Sequence, residues 1–173
     1  NYPLLSTIDL SNNINLEILT INEMYLTSLD ISQNTDLKLI ELSDNELNGL
    51  DISNNTSLIQ LRVAENNYIQ NIDFSNNVNL ELIDISFNNF LTLDLTNCIN
   101  LKQLDCSYND FTSLDLSNNT NLQLLYCRGW NMPTHTLNLS SLNLKNLNIQ
   151  NFSNVINGIS STYNSNNGDY PLY

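Results

Sequence analysis

The chain is short of basic residues, glycine and histidine, and each shortage removes a class of function. Five Lys and Arg stand against 18 Asp and Glu, for a formal net charge of −13. Nucleic acid and anionic lipid both need cationic side chains to displace counterions, so neither fits this composition. Solubility, cationic partners and metal ions fit it better. Four glycines leave no Gly-rich phosphate loop. No apolar run approaches the roughly 20 residues of a bilayer-crossing helix, so membrane insertion is not expected. The one histidine, His135, lies between Thr134 and Thr136 with no acid or nucleophile that the sequence places beside it. It reads as a loop residue, and neither catalysis nor a cofactor is expected. No signal peptide is visible, and a chain that begins at Asn1 without Met reads as a processed or trimmed product.

What the chain has is a repeat. An Asp-centred triplet returns every 21 or 22 residues: IDL at Ile8, LDI at Leu29 and Leu50, IDF at Ile72, and LDL at Leu93 and Leu114. A second motif, LxxLxLxxNxL, interleaves at the same period from Leu16, Leu37, Leu58, Leu80, Leu101 and Leu122, with a degenerate copy at Leu144. A fixed period of this length means a solenoid whose units pack only on their neighbours. In the unit from Leu101 to Asn121, the inward set is Leu101, Leu104, Cys106, Phe111, Leu114 and Leu116. Gln103 to Ser107 alternates out and in, as a strand does. Each repeat should therefore add one short strand to a parallel sheet. The second half, TSLDLSNNTN, predicts extended segments or turns on the opposite wall and little α-helix. Asn45, Asn66, Asn88 and Asn109 recur where the backbone must turn, with Met24 and Trp130 at the ends of their column. Such a ladder suits amides, which both donate to and accept from turn backbone.

These units resemble the 21-residue nested class of bacterial leucine-rich repeats, sometimes called IRREKO. Its consensus, LxxLxLxxNxLxxLDLxxNxx with a Cys-containing LxC variant, matches roughly Ile8 to Phe152, and LDLTNC at Leu93 and LDLSNN at Leu114 are specific to it. The resemblance implies a right-handed, β-rich solenoid with the parallel sheet on its concave side. It also implies a surface or secreted bacterial protein that recognises a protein or glycan without catalysis. The expected organisation is an N-terminal flank over residues 1–7, about seven repeats over 8–152, and a cap or linker over 153–173. Between Leu122 and Leu144 the register slips around Pro133, which predicts an inserted loop. The chain is expected to be a monomer.

Cysteine is sparse and odd in number. Cys106 and Cys127 stand where other repeats have Ile21, Leu42, Val63 and Ile85, which makes them core residues. Cys98 replaces a recurrent Asn on the other edge and reads as a free thiol. The Asp column, Asp9, Asp30, Asp51, Asp73, Asp94 and Asp115, should stack at about 4.8 Å. Like charges that close need hydration, hydrogen bonds or a bridging cation. Ser11, Ser32, Ser53, Ser75, Thr96 and Ser117 follow two residues on and predict hydrogen bonding. A calcium ladder on Asp30, Asp51, Asp73, Asp94 and Asp115 is the lesser alternative, since calcium loops gather several ligands in one turn and here each repeat offers one.

The outward strand positions vary where the inward ones do not. One column runs Ile18, Leu39, Gln60, Leu82, Gln103, Leu124, and Leu39, Leu82 and Leu124 read either as exposed apolar residues that hint at a partner or as side chains tucked under their neighbours. The next runs Thr20, Glu41, Arg62, Asp84, Asp105, Tyr126, and a third Asn22, Ser43, Ala64, Ser86, Ser107, Arg128. At the strand exit stand Glu23, Asp44, Glu65, Phe87, Tyr108 and Gly129. Two zones result. The N-terminal one is acidic, built on Glu23, Glu41, Asp44 and Glu65. The C-terminal one is aromatic, and Phe87, Tyr108, Tyr126, Arg128, Asp84, Asp105 and Trp130 form the expected ligand-binding patch, with rings for contact area and charges for orientation. Phe87 and Tyr108 could equally cover the core edge, and Trp130 could end the Asn ladder. A glycosidase-like pair of Asp84 and Asp105 and a spacer without a ligand are the alternatives.

Overall fold

The computed structural model describes residues 5–129 apart from residue 112, residues 142 and 144–148, and the backbone of 137–138 and 156–157. Each repeat contributes one short strand: β1 (Ile18–Thr20), β2 (Leu39–Glu41), β3 (Gln60–Arg62), β4 (Leu82–Asp84), β5 (Gln103–Asp105) and β6 (Leu124–Tyr126). Then follow β7 (Leu137–Asn138), β8 (Asn146–Asn148) and β9 (Ile156–Asn157). β1 to β6 and then β8 form one seven-stranded sheet in that order, and every pairing is parallel. The register is one repeat per rung, so Leu19, Ile40, Leu61, Ile83, Leu104, Leu125 and Leu147 form a single row. There is no helix among the described residues.

The stretch expected as an inserted loop contributes differently. Its β7 pairs in parallel with β9, from the tail, in a separate two-stranded sheet. β8 returns to the main sheet, so the degenerate repeat at Leu144 still supplies a rung. His135, Trp130, Pro133 and most of the tail fall outside the described residues, as do residues 1–4 of the flank.

The expected inward set is the core. Leu101, Leu104, Cys106, Phe111 and Leu116 are fully buried and Leu114 nearly so. Leu26, Leu47, Ile69, Phe90 and Phe111 make a second buried row, in which the Phe90 and Phe111 rings meet at 6.2 Å between centroids. Strands of the main sheet are three residues long, shorter than the five-residue alternation at Gln103 to Ser107 suggests. The ladder nevertheless continues past them: Cys106 N–H donates to Tyr126 O at 2.9 Å, and Tyr108 N–H to Arg128 O at 2.7 Å. Because strand geometry ends at Asp105, alternation no longer turns Ser107 outward. Ala64, Ser86 and Ser107, expected on the outer face, are buried.

Two asparagine ladders close the turns. In the first, Asn45, Asn66, Asn88 and Asn109 donate back to carbonyls of their own and the preceding rung, as Asn66 does to Leu42 O at 2.9 Å and Val63 O at 3.0 Å. Their Oδ1 atoms accept from Leu26, Leu47 and Phe90 N–H in three of the four rungs. The exception is Asn88, whose Oδ1 has no hydrogen-bond partner among the described residues. The rung before it carries the one extra residue of its 22-residue repeat at Asn67 and Tyr68, with Asn67 at φ 45°. On the opposite wall, two successive turns per repeat replace any helix. Asn34 N–H donates to Ile31 O at 3.0 Å and Leu37 N–H to Asn34 O at 3.2 Å, and later rungs repeat this. The second ladder, Asn34, Asn55, Asn77 and Asn119, is buried there, and each amide donates to two carbonyls of the preceding rung. Cys98 fills the missing place, fully buried and 3.9 Å from Asn77 O. It is a core residue, not an edge thiol.

Candidate functional site

The strand-exit column has a backbone feature that side-chain patterns do not reveal. Glu23, Asp44, Glu65, Phe87, Tyr108 and Gly129 all adopt left-handed φ, between 53° and 73°. That conformation suits Gly and costs a bulky residue roughly 1 to 3 kcal/mol. It persists because Asp44, Glu65, Phe87 and Tyr108 are each clamped on both sides. Phe87 N–H donates to Ser107 O at 3.0 Å, and the next residue is a ladder Asn whose amide is tied into the turn. Gly129 was the sequence signal for this column. A Cβ there would run into the Tyr108 ring, so Gly both accepts the backbone angle and makes room for the aromatic.

That column stacks the aromatic zone. Phe87 and Tyr108 lie nearly parallel, with centroids 4.3 Å apart and an 18° interplanar angle. Arg128 stands over the Tyr108 ring, with Cζ 6.0 Å from the centroid. Phe87 is 45% exposed, whereas Tyr108 is half-buried within the pile. Tyr108 thus lies within the stack, while Phe87 leaves a face open to solvent. Tyr126 and Arg128 are half-buried beside them. Trp130 lies outside the described residues.

Below the rings, β4 and β5 bring two carboxylates together. Asp84 and Asp105 are register partners, and Tyr126 is next in the same row. Asp84 accepts from Ser86 N–H at 3.0 Å and Ser86 Oγ–H at 2.7 Å, and Asp105 from Ser107 N–H at 3.0 Å. Burial first and the Asp84 charge second push the Asp105 carboxyl up to about 6, against the pull of Ser107 and Arg128. A raised acid beside a second carboxylate is what a glycosidase has, but such a pair must flank a bond. These two project side by side from neighbouring rungs.

The acidic zone is smaller than the sequence suggests. Arg62 bonds Glu41 at 2.7 Å and Gln60 at 3.2 Å, so Glu41 is already ion-paired. Glu23, Asp44 and Glu65 stay exposed. The apolar column is also different: Leu39, Leu82 and Leu124 are half-buried rather than exposed, and only Ile18, on the terminal strand, is open at 62%.

The other Asp column is on the turn wall. Each of Asp9, Asp30, Asp51, Asp73, Asp94 and Asp115 accepts from the N–H two residues on at 2.9 or 3.0 Å. Those bonds, from backbone and Ser or Thr hydroxyl together, hold all six below the ordinary carboxylate value. A cavity of about 370 Å³ opens between the Asp73 and Asp94 rungs, lined also by Asn71, Thr96 and Asn97. No group of three His, Cys, Asp or Glu able to hold a metal ion occurs among the described residues. No disulfide joins Cys98, Cys106 and Cys127.

Comparison with known proteins bears on the fold. No protein-family model matches the chain, and no curated protein matches it significantly. A leucine-rich-repeat protein of Leptospira interrogans superposes with a TM-score of 0.59 at 22% identity, over 79% of this chain and 37% of that one. The chain has the leucine-rich-repeat fold. Two further leucine-rich-repeat matches are looser. The functional domain of InlJ from Listeria monocytogenes gives a TM-score of 0.42 at 22% identity, over 84% of this chain and 46% of that one. The leucine-rich-repeat domain of APL1B gives 0.44 at 22% identity, over 81% and 52%. The chain thus spans 37% to 52% of the length of these structures.

Proposed function

We propose that this leucine-rich-repeat solenoid is a non-catalytic module that binds another protein through its concave sheet, at the aromatic half. The observation that supports it is the Phe87–Tyr108 stack, held on left-handed backbone beside Arg128, Asp84 and Asp105. The left-handed backbone belongs to every rung of the column; what distinguishes the aromatic half is that rings stand at those positions, with Phe87 open to solvent. Stacked rings over oriented charges are also what interface anchors consist of. Membership of the 21-residue nested bacterial class, and a place on or outside the bacterial surface, belong to the same proposal and rest on the repeat consensus.

The test is affinity capture from the protein's natural surroundings with wild type and a Tyr108→Ala/Tyr126→Ala variant whose melting confirms that it folds. A protein retained by wild type and lost by the variant is the expected result. A captured glycan would keep the site and change the ligand class. Identical profiles would favour a spacer.

A further inference from the structure

The chemistry of the partner can be read from the two edges of the sheet face, given the binding role proposed above. Along the strand-entry edge run Ile18, Leu39, Leu82 and Leu124, apolar and partly open, with Gln60 and Gln103 on the rungs between. Along the strand-exit edge Glu23, Asp44 and Glu65 project from one repeated backbone conformation. None of these three has an ion-pair partner among the described residues; the three pairs formed are Lys38–Glu17, Arg62–Glu41 and Lys102–Glu81. Between the edges Asp84 and Asp105 oppose each other in register, an arrangement of like charges that destabilises a sheet. Arg128 offsets it only in part. A cation from outside would relieve it, and charge of this sign sets which partners are admitted as well as how fast they arrive.

We propose that the partner lays a basic amphipathic segment across this face, with apolar side chains on the Ile18–Leu124 column and Lys or Arg side chains on the strand-exit carboxylates and the Asp84–Asp105 pair. The exit acids stand on the β1, β2 and β3 rungs and the Asp pair on β4 and β5, each rung about 4.8 Å from the next, with apolar side chains opposite on β1, β2, β4 and β6. A helix with apolar and basic residues on adjoining faces has matching side-chain spacing of roughly 5 to 6 Å. Net charge alone is not the claim. A chain at −13 attracts any polycation, and the Asp ladder of the turn wall would share that attraction.

The experiment uses the full chain and a synthetic helical peptide with one Leu face and one Lys face, titrated at physiological salt. Two controls accompany it: the same composition in scrambled order, and the same pattern with Glu for Lys. Two charge-matched variants follow, Glu23→Gln/Asp44→Asn/Glu65→Gln on the sheet face and Asp30→Asn/Asp51→Asn/Asp73→Asn on the turn wall, each first shown to melt as a folded protein. The sheet-face variant should lose about tenfold in affinity, corresponding to about 1.4 kcal/mol, and the turn-wall variant should change little. The scrambled peptide should bind weakly and the Glu peptide not at all. Equal losses in both variants, equal binding of the scrambled peptide, or no binding of the Lys peptide would overturn the proposal. A natural partner that needs Tyr108 and Tyr126 but tolerates the sheet-face variant would leave the binding role standing and this inference refuted.

Discussion

The same Asp-x-Ser unit occurs on both walls of the solenoid and behaves in opposite ways. On the turn wall Asp51 accepts from Ser53 and is held below the ordinary carboxylate value. On the sheet wall Asp105 accepts from Ser107 at nearly the same distance and is pushed up to about 6. Hydrogen bonding is therefore not what separates them. The turn-wall acids stand in water, where like neighbours a rung apart are screened; Asp105 is half-buried with Asp84 beside it, where they are not. Repeats copy local geometry faithfully and leave environment to decide the chemistry. The wall where the copy is electrostatically uncomfortable also carries the stacked rings.

The largest effect should come from confusing inside with outside. Leu104→Asp places a charge in a fully buried row and should unfold the array, whereas Leu82→Asp on the half-buried face should be mild. Similar melting points for the two would mean that the walls are wrongly assigned. Next come the ladders: Asn66→Ala on one wall and Asn55→Ala on the other should each cost about 1 to 3 kcal/mol in urea unfolding. Asn54→Ala should stay within about 0.5 kcal/mol, since that exposed amide makes one bond of 3.4 Å. A negligible cost at Asn55 would remove the second ladder from the account.

The acids themselves give a smaller, pH-dependent effect. Folding raises the Asp105 pKa, so the folded chain holds that proton more tightly. Stability from this group falls as pH rises from the ordinary 3.8 to about 6. Asp105→Asn should remove that loss, stabilising at pH 7 by about 1 to 3 kcal/mol at about 1.4 kcal/mol per pH unit of the window. The turn-wall acids have lowered values, so their stabilisation is present above 3.8 and disappears as pH falls below it. Asp51→Asn should therefore not raise stability at neutral pH; urea midpoints across pH 4 to 7 would expose a rise if one occurs. The smallest effect concerns calcium. Because each turn-wall Asp already accepts a backbone N–H, excess Ca²⁺ against chelator should move the melting point by less than about one or two degrees, and a larger rise would establish a metal ladder.

Period and inward pattern made the solenoid, the parallel register and the core rows legible, because packing permits only apolar residues at Leu104, Leu125 and their equivalents. The strand-turn Asn ladder and the Asp-Ser bonds were legible for the same reason, as one residue type recurred at one place. Where the residue type varies, the sequence is silent. The left-handed column holds Glu, Asp, Phe, Tyr and Gly, and only Gly129 signals the angle. Apart from Asn34, which follows Gln33, the second ladder hides in Asn-Asn doublets whose first member is exposed and second buried, as at Asn54 and Asn55, a distinction that depends on turn geometry. Burial of Ser86 and Ser107 followed from where the strand stops, and the β7–β9 pairing joins segments that share no repeat register.

The difference between the walls can be measured directly by following the side-chain carboxyl resonances of Asp51 and Asp105 through a pH titration of the folded protein. The account predicts a midpoint near 6 for Asp105 and one below 3.8 for Asp51. Two superimposable curves would contradict it, and with them the claim that the sheet face is the electrostatically distinct surface of the molecule.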